Sequence, residues 1–181
     1  MVATKLLTAE DLEAMGEDAR YELVRGELRP MSPVGKPHGL VLGRVTTPLI
    51  VHVDTNRLGT VYIGDVGVVI GRNPDTVLAP DFAFVRGEPM ALEEVSEGFF
   101  RVMPDLAGEI GSPSDSRREL RRKAQQFLDA GVPNVWLFES ATRTVTWMTA
   151  DGSERVYQIG DVLDGGDLIP GFRLAIADVF R

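Results

Sequence analysis

The chain has no cysteine in its 181 residues. That excludes a disulfide framework, a thiolate nucleophile and a thiolate metal site, and it fits a reducing cytoplasm. Any bound metal must then be held by oxygen and imidazole. Long hydrophobic runs are also missing: no window approaches the roughly 18 to 20 consecutive apolar residues of a membrane helix. The start, MVATKLLTAEDLE, carries one lysine and turns acidic too soon for a secretory signal. Positive charge is in deficit, with 19 Lys and Arg against 27 Asp and Glu, a net charge of -8. Such a balance argues against a surface that coats nucleic acid, because non-specific affinity for DNA comes from many phosphate contacts to Lys and Arg. A DNA substrate would have to rely on a local basic patch, on metal or on assembly. The sequence also lacks a glycine-rich phosphate loop, a Ser, His, Asp set at recognisable spacing, an internal repeat and a low-complexity linker.

What is present suits one globular domain spanning residues 1–181, since a chain of about 150 residues already buries roughly 70% of its unfolded surface. Thr8 with Asp11 reads as a capping box for a short helix that stops at Gly16. Tyr21 to Val24 and Glu27 to Met31 flank Arg25-Gly26 as a hairpin, with Glu22 and Val24 on one face and Glu27 just past the turn. A helical stripe runs from His38 to Val53 through Leu40, Val41, Val45, Leu49 and Ile50, with Pro48 inside it. Thr60 to Ile63 and Val66 to Ile70 read as strands joined by a Gly64-Asp65 turn, and Ala79 to Val85 as a strand buried on both faces. Residues 86 to 103 form an acidic connection without a readable element.

The most informative stretch is Pro104 to Phe138. It reads as a strand from Asp105 to Ile110, a Ser-Pro turn, a helix, and a strand from Asn134 to Glu139. Ser116 and Glu119 form a second capping-box signature for that helix, which ends at Gly131 before Pro133. A hairpin around Asp151-Gly152 and a short apolar tail from Leu174 to Phe180 complete the chain. Apolar strands in this order are most simply covered as a sheet with helices on its faces.

Asp81 and Glu109 lie 28 positions apart, each at or near the end of an apolar strand. A carboxylate there is costly unless it is paired or binds a cation. Two close together make a natural magnesium site; a backbone cap or an arginine partner is the alternative for each. Lys123 flanks the Leu120, Ala124, Phe127, Leu128 stripe, so it can snorkel toward the strand ends or stand at the helix edge in solvent. Arg117, Arg118, Arg121 and Arg122 make the same helix basic. Arg117 and Arg118 sit at its N-terminal end, where the dipole disfavours cations. Phosphate contact would explain them, as would neutralisation by Asp115 and Glu119. His38 opens a helix after a Pro-rich loop and is placed to bind metal, move a proton, contact phosphate or simply pack. His52 reads as structural.

Pro80-Asp81, Glu109-Ile110-Gly111 and the displaced Lys123 resemble the PD-(D/E)xK nuclease superfamily. Within it, the similarity is to a bacterial branch of restriction-endonuclease-type proteins otherwise labelled a domain of unknown function. The likeness extends through Tyr21-Glu22-Leu23 with Gly26-Glu27, Met31-Ser32-Pro33, His38 and Ser112-Pro113-Ser114. It continues through Ala130-Gly131-Val132-Pro133 with Trp136, and through Leu168-Ile169-Pro170-Gly171-Phe172. It implies an α/β fold with a restriction-endonuclease-like core, a central mixed β-sheet flanked by helices, an N-terminal helix and hairpin, and extra C-terminal strands.

It further implies a metal-dependent endonuclease that hydrolyses phosphodiester bonds in DNA. Mg2+ or Mn2+ would be held by Asp81 and Glu109, with Lys123 near the scissile phosphate. Glu27 is the further catalytic acid expected, with Glu22 as the alternative. His38, Arg117, Arg118 and Arg121 are candidate nucleic-acid contacts, and a homodimer or higher homo-oligomer is the expected assembly. A catalytically silent nuclease fold serving as a binding or assembly module, and a metal hydrolase of small phosphorylated molecules, are the competing readings. Gly111 stands where the superfamily triplet has lysine, so the catalytic reading requires Lys123 to reach back from its helix.

Overall fold

The computed structural model describes residues 6–16, 20–112 and 116–181. The Pro113-Ser114 part of the expected turn, Asp115 as a neutralising acid, and the first five residues lie outside that set. The chain begins with α1 (Ala9–Glu13), the hairpin β1 (Tyr21–Val24) and β2 (Glu27–Pro30), and α2 (Lys36–Thr55). Four strands follow, β3 (Gly59–Ile63), β4 (Val68–Gly71), β5 (Thr76–Leu78) and β6 (Phe82–Arg86). Then come β7 (Leu106–Gly111), α3 (Arg117–Asp129), β8 (Asn134–Glu139), β9 (Thr144–Thr149) and β10 (Glu154–Tyr157). The chain closes with β11 (Val162–Asp164), β12 (Arg173–Ala175) and α4 (Ile176–Phe180).

Six strands form the central sheet in the order β10-β9-β8-β7-β6-β3. It is mixed, because β7 and β8 run parallel while their neighbours pair antiparallel. The parallel pair requires a crossover, and α3 provides it. Strand alternation sorts the core into two layers. Phe82, Phe84, Leu106, Ile110, Trp136 and Phe138 pack against Val41, Val45, Leu49 and Val53 of α2. Ala107, Val135 and Met148 pack against Ala124, Phe127 and Leu128 of α3. The C-terminal residues close over the α2 layer, where Phe172 stacks on Trp136 with ring centroids 6.0 Å apart. The α/β architecture with a mixed sheet, flanking helices and added strands is the expected one.

Several local expectations hold. Thr8 and Asp11 form a complete capping box, and the hairpin register pairs Leu23 with Leu28 and Val24 with Glu27. Others are corrected. The strand expected from Ala79 to Val85 breaks: β5 ends at Leu78, and β6 starts only at Phe82. Pro80 cannot donate to a ladder, so the chain crosses between sheets there and leaves Asp81 at the mouth of β6. Gly64-Asp65 is likewise no hairpin turn, because β3 joins the central sheet and β4 joins a separate four-stranded sheet, β2-β1-β5-β4. Ser116 caps α3 by backbone position but makes no side-chain cap bond, and the Glu119 side chain lines a cleft. Leu40 is exposed, leaving the α2 stripe to Val41, Val45, Leu49 and Val53.

Gly108 shows how tightly the α2 layer is packed. It lies opposite Phe82 in the ladder, and a Cβ built on it would fall 2.0 Å from the Phe82 ring. Gly108→Ala should therefore destabilise the protein by about 1–3 kcal/mol through overpacking. Gly39 in α2 has no neighbour within 4 Å of such a Cβ, and Gly39→Ala should stabilise by about 0.5–1 kcal/mol through helix propensity. Urea unfolding of the two variants beside the wild type measures both.

Candidate active site

On β7 the odd-numbered side chains face α3. This places the Glu109 carboxylate inside the α3 layer, with only 5% of its side chain exposed. Gly111 is the next residue on that face. A Cβ there would lie 2.5 Å from a Leu120 methyl, so the Leu120 side chain of α3 fills the space beside it. The helix supplies its own cation instead. Lys123 stands beside the buried stripe and its Nζ reaches 3.0 Å from Glu109 Oε1 and 2.9 Å from Glu22 Oε1. It also donates to the Ala79 carbonyl oxygen at 2.7 Å.

Glu22 arrives from β1, where it accepts a hydrogen bond from the Ala79 N–H at 3.1 Å. The Ala79-Pro80-Asp81 crossing is thus held at one end by Glu22 and Lys123. At its other end, Asp81 Oδ2 accepts from the Ile110 N–H at 2.6 Å, while Asp81 Oδ1 lies 3.0 Å from His38 Nε2. Asp81 and Glu109 are therefore joined through the backbone of β7, and His38 fixes the free edge of Asp81 from the first turn of α2.

The electrostatics follow from burial. Removal from water pushes Glu109 up to about 8 against the opposing pull of Lys123, and the Asp81 and Glu22 carboxylates add to the rise. Burial works against the Lys123 ammonium, but Glu109 and Glu22 together hold it above the ordinary lysine value. Asp65 also belongs to this neighbourhood. Burial and the Asp81 charge raise its carboxyl, while Arg20, Lys123 and His38 draw it down; Arg20 Nη2 is 3.3 Å away.

Asp81, Glu109, Lys123, Glu22 and His38 are thus brought together. Glu27 is not: it lies 66% exposed at the start of β2 and pairs with Arg29 at 3.4 Å. It follows the turn directly, whereas Glu22, further back on β1, lies against the Ala79 crossing. Two expected nucleic-acid contacts are committed elsewhere, Arg117 to Glu139 with Nε to Oε1 at 2.7 Å, and Arg121 to both carboxylate oxygens of Glu154. His38 is buried against Asp81 and is not a surface contact. Arg118 is exposed. Asp65 escaped notice because Gly-Asp reads as an ordinary turn.

Among the described residues, no three His, Cys, Asp or Glu side chains are arranged to hold a metal ion. Asp81 and Glu109 nevertheless fit one chemically. Mg2+ takes one or two carboxylates and completes its shell with water, and the buried Glu109 carboxylate marks a place where added positive charge is favourable.

A family profile described as "Uma2: Putative restriction endonuclease" matches residues 8–177. The chain belongs to this family. Among solved structures, it is similar to a crystal structure described as a putative nuclease belonging to DUF820 from Anabaena variabilis ATCC 29413. The two share 17% identity with a TM-score of 0.80, covering 96% of this chain and 97% of the other. That likeness establishes the nuclease-like fold. A comparison with curated proteins finds no match. Asp81, Glu109 and Lys123, which carry the resemblance, lie close together, Lys123 directly on Glu109 and Asp81 on the Ile110 N–H of the same strand.

The raised Glu109 carboxyl has a measurable consequence. Its folded value exceeds the ordinary 4.5, so its contribution to stability is full below 4.5 and is lost as pH rises through about 8. In metal-free buffer, urea unfolding between pH 5 and pH 8.5 should show the wild type losing stability as pH rises. Glu109→Gln should flatten that slope, and identical slopes would mean that Glu109 does not titrate in this window.

Proposed function

We propose that the chain is a metal-dependent endonuclease that hydrolyses phosphodiester bonds, those of DNA foremost. The observation that carries this reading is the position of the Lys123 Nζ, which reaches both Glu109 and Glu22 although Gly111 leaves the usual lysine position empty. Asp81 and Glu109 would hold Mg2+ or Mn2+, and the bound ion would supply Lewis-acid polarisation of the phosphodiester and activation of water.

The chain's own groups have distinct parts in this reading. Asp81 is oriented by the Ile110 N–H and His38, so its carboxylate keeps one direction. Lys123 keeps its proton through the neutral range, because two carboxylates stabilise the ammonium. It would therefore become a donor toward a phosphate oxygen that gains charge in the transition state by exchanging one of its three contacts, to Glu109, Glu22 or the Ala79 carbonyl, for that oxygen, and is not the group that takes a proton from water. Glu22 is a positioning residue that aims Lys123 and ties it to the Ala79 crossing. A silent nuclease fold is the second reading, favoured by the absence of a three-ligand set among the described residues.

Cleavage of supercoiled plasmid and of single-stranded DNA with Mg2+ or Mn2+ tests the assignment. Asp81→Ala, Glu109→Ala and Lys123→Ala should each lower the rate by about 100-fold or more, the usual scale for losing one transition-state stabiliser. Wild-type rates in all three would remove the site. A folded wild type that cuts neither substrate would favour the silent module.

A further inference from the structure

Two clefts flank the Lys123, Glu22 and Ala79 junction, one lined by Tyr21 and the other by Glu22 of β1. The larger, about 920 Å³, takes Tyr21 and Ala79 into its lining; the smaller, about 630 Å³ between the hairpin and α3, takes Glu22 and Lys123. Their charges differ in sign. Among the described residues, Arg20 is the single cation lining the larger cleft, against Glu13, Asp65 and Glu97. The smaller has Arg29, Arg122 and Lys123 against Glu22 and Glu119.

We propose that the cleft between the hairpin and α3 is the groove by which a single nucleic-acid strand reaches Lys123. The inference starts from the nuclease reading above and names its substrate class. On a chain of net charge -8, polyanion affinity depends on local sign, and of the two clefts this one carries more cations in its lining, Arg29 and Arg122 beside a Lys123 that is paired with Glu22 and Glu109. Its two arginines are held lightly. Arg29 pairs with the equally exposed Glu27 at 3.4 Å, and Arg122 donates to Gln126 at 3.2 Å, so both can turn to a phosphate at little cost.

Depth selects a single strand. Lys123 is 23% exposed at the floor, whereas Asp81 and Glu109 behind it are 12% and 5% exposed. A cleft of 630 Å³ is the size of a small-ligand site. A duplex presents its phosphates on a broad cylinder that cannot descend to such a floor, while one strand with free backbone torsions can. The apolar lining is aliphatic, from Val24, Leu78 and Leu120, with no aromatic platform for base stacking. The groove therefore follows the sugar-phosphate chain and tolerates any base sequence.

The test measures binding of a fluorescent oligothymidylate and of a duplex of equal length, without divalent metal so that nothing is cut. The single strand should bind more tightly than the duplex. Arg29→Glu and Arg122→Glu, both at exposed positions, should each weaken it by about tenfold and lower the salt slope by about 0.7 per lost contact. Arg20→Glu in the other cleft should change affinity by less than about twofold. Tighter duplex binding, an equal or greater loss in Arg20→Glu, or no binding of either probe by wild type would overturn the groove. Adding Mg2+ or Mn2+ separates the two ideas: binding without cleavage removes the nuclease reading alone, and cleavage insensitive to Arg29→Glu and Arg122→Glu removes the groove alone.

Discussion

The arrangement of this molecule turns on one buried contact, that of Lys123 with Glu109. A carboxylate in the middle of a sheet, under a helix, costs several kcal/mol to remove from water, and an attractive partner offsets that only when its geometry is good. The partner here comes from the element that covers it. The placement of α3 on β7, the bare Cα of Gly111 beneath Leu120, the position of Glu22 and the Ala79 carbonyl all bear on where one ammonium nitrogen sits. Apolar residues of similar volume would commonly serve stability as well or better than a buried pair. Stability alone therefore does not account for the cluster.

The same pair explains how the superfamily pattern is kept while its sequence spacing is broken. In the (D/E)xK triplet the lysine follows the acid by two residues and so shares its face of the strand. In this chain that face is occupied at position 111 by the Leu120 side chain of α3, which would have to turn aside for a side chain there. The lysine on the flank of the helix reaches the acid along the sheet, as a long aliphatic stem with a charged head can. The nitrogen thus lies 3.0 Å from the carboxylate although its Cα belongs to a different element.

This distinction also divides what was legible in the sequence from what was not. Periodicity and caps placed α1, the first hairpin, α3 and β8, because those signals are local. Asp81 and Glu109 stood out because a carboxylate in an apolar strand is conspicuous, whereas Lys123 was suggested only by its place on the flank of the α3 stripe and by the family resemblance. The second sheet was not, since β5 joins β1 through Leu23 and Val77, a contact far apart in sequence that no local pattern encodes. The choice between Glu22 and Glu27 turned on the same hidden fact: only the path of Ala79 decides which acid of the hairpin meets the lysine. Asp65 was concealed by its turn context, and the broken strand at Pro80 by the apolar residues on both sides of it.

The basic run at the start of α3 shows why net charge and charge counts alone mislead here. Its four arginines read as one patch, but helical spacing divides them into rows four residues apart. Arg117 and Arg121 lie over the far strands, where Glu139 and Glu154 take their charge. Arg118 and Arg122 occupy the next row, and Arg122 lines the cleft that ends at Lys123. One row thus neutralises acids that the sheet presents, while Arg122 of the other lies beside the candidate site. An acidic protein can in this way keep a locally positive approach to a recessed pair of carboxylates, because the electric field a ligand meets is set by the uncommitted charges nearest its path.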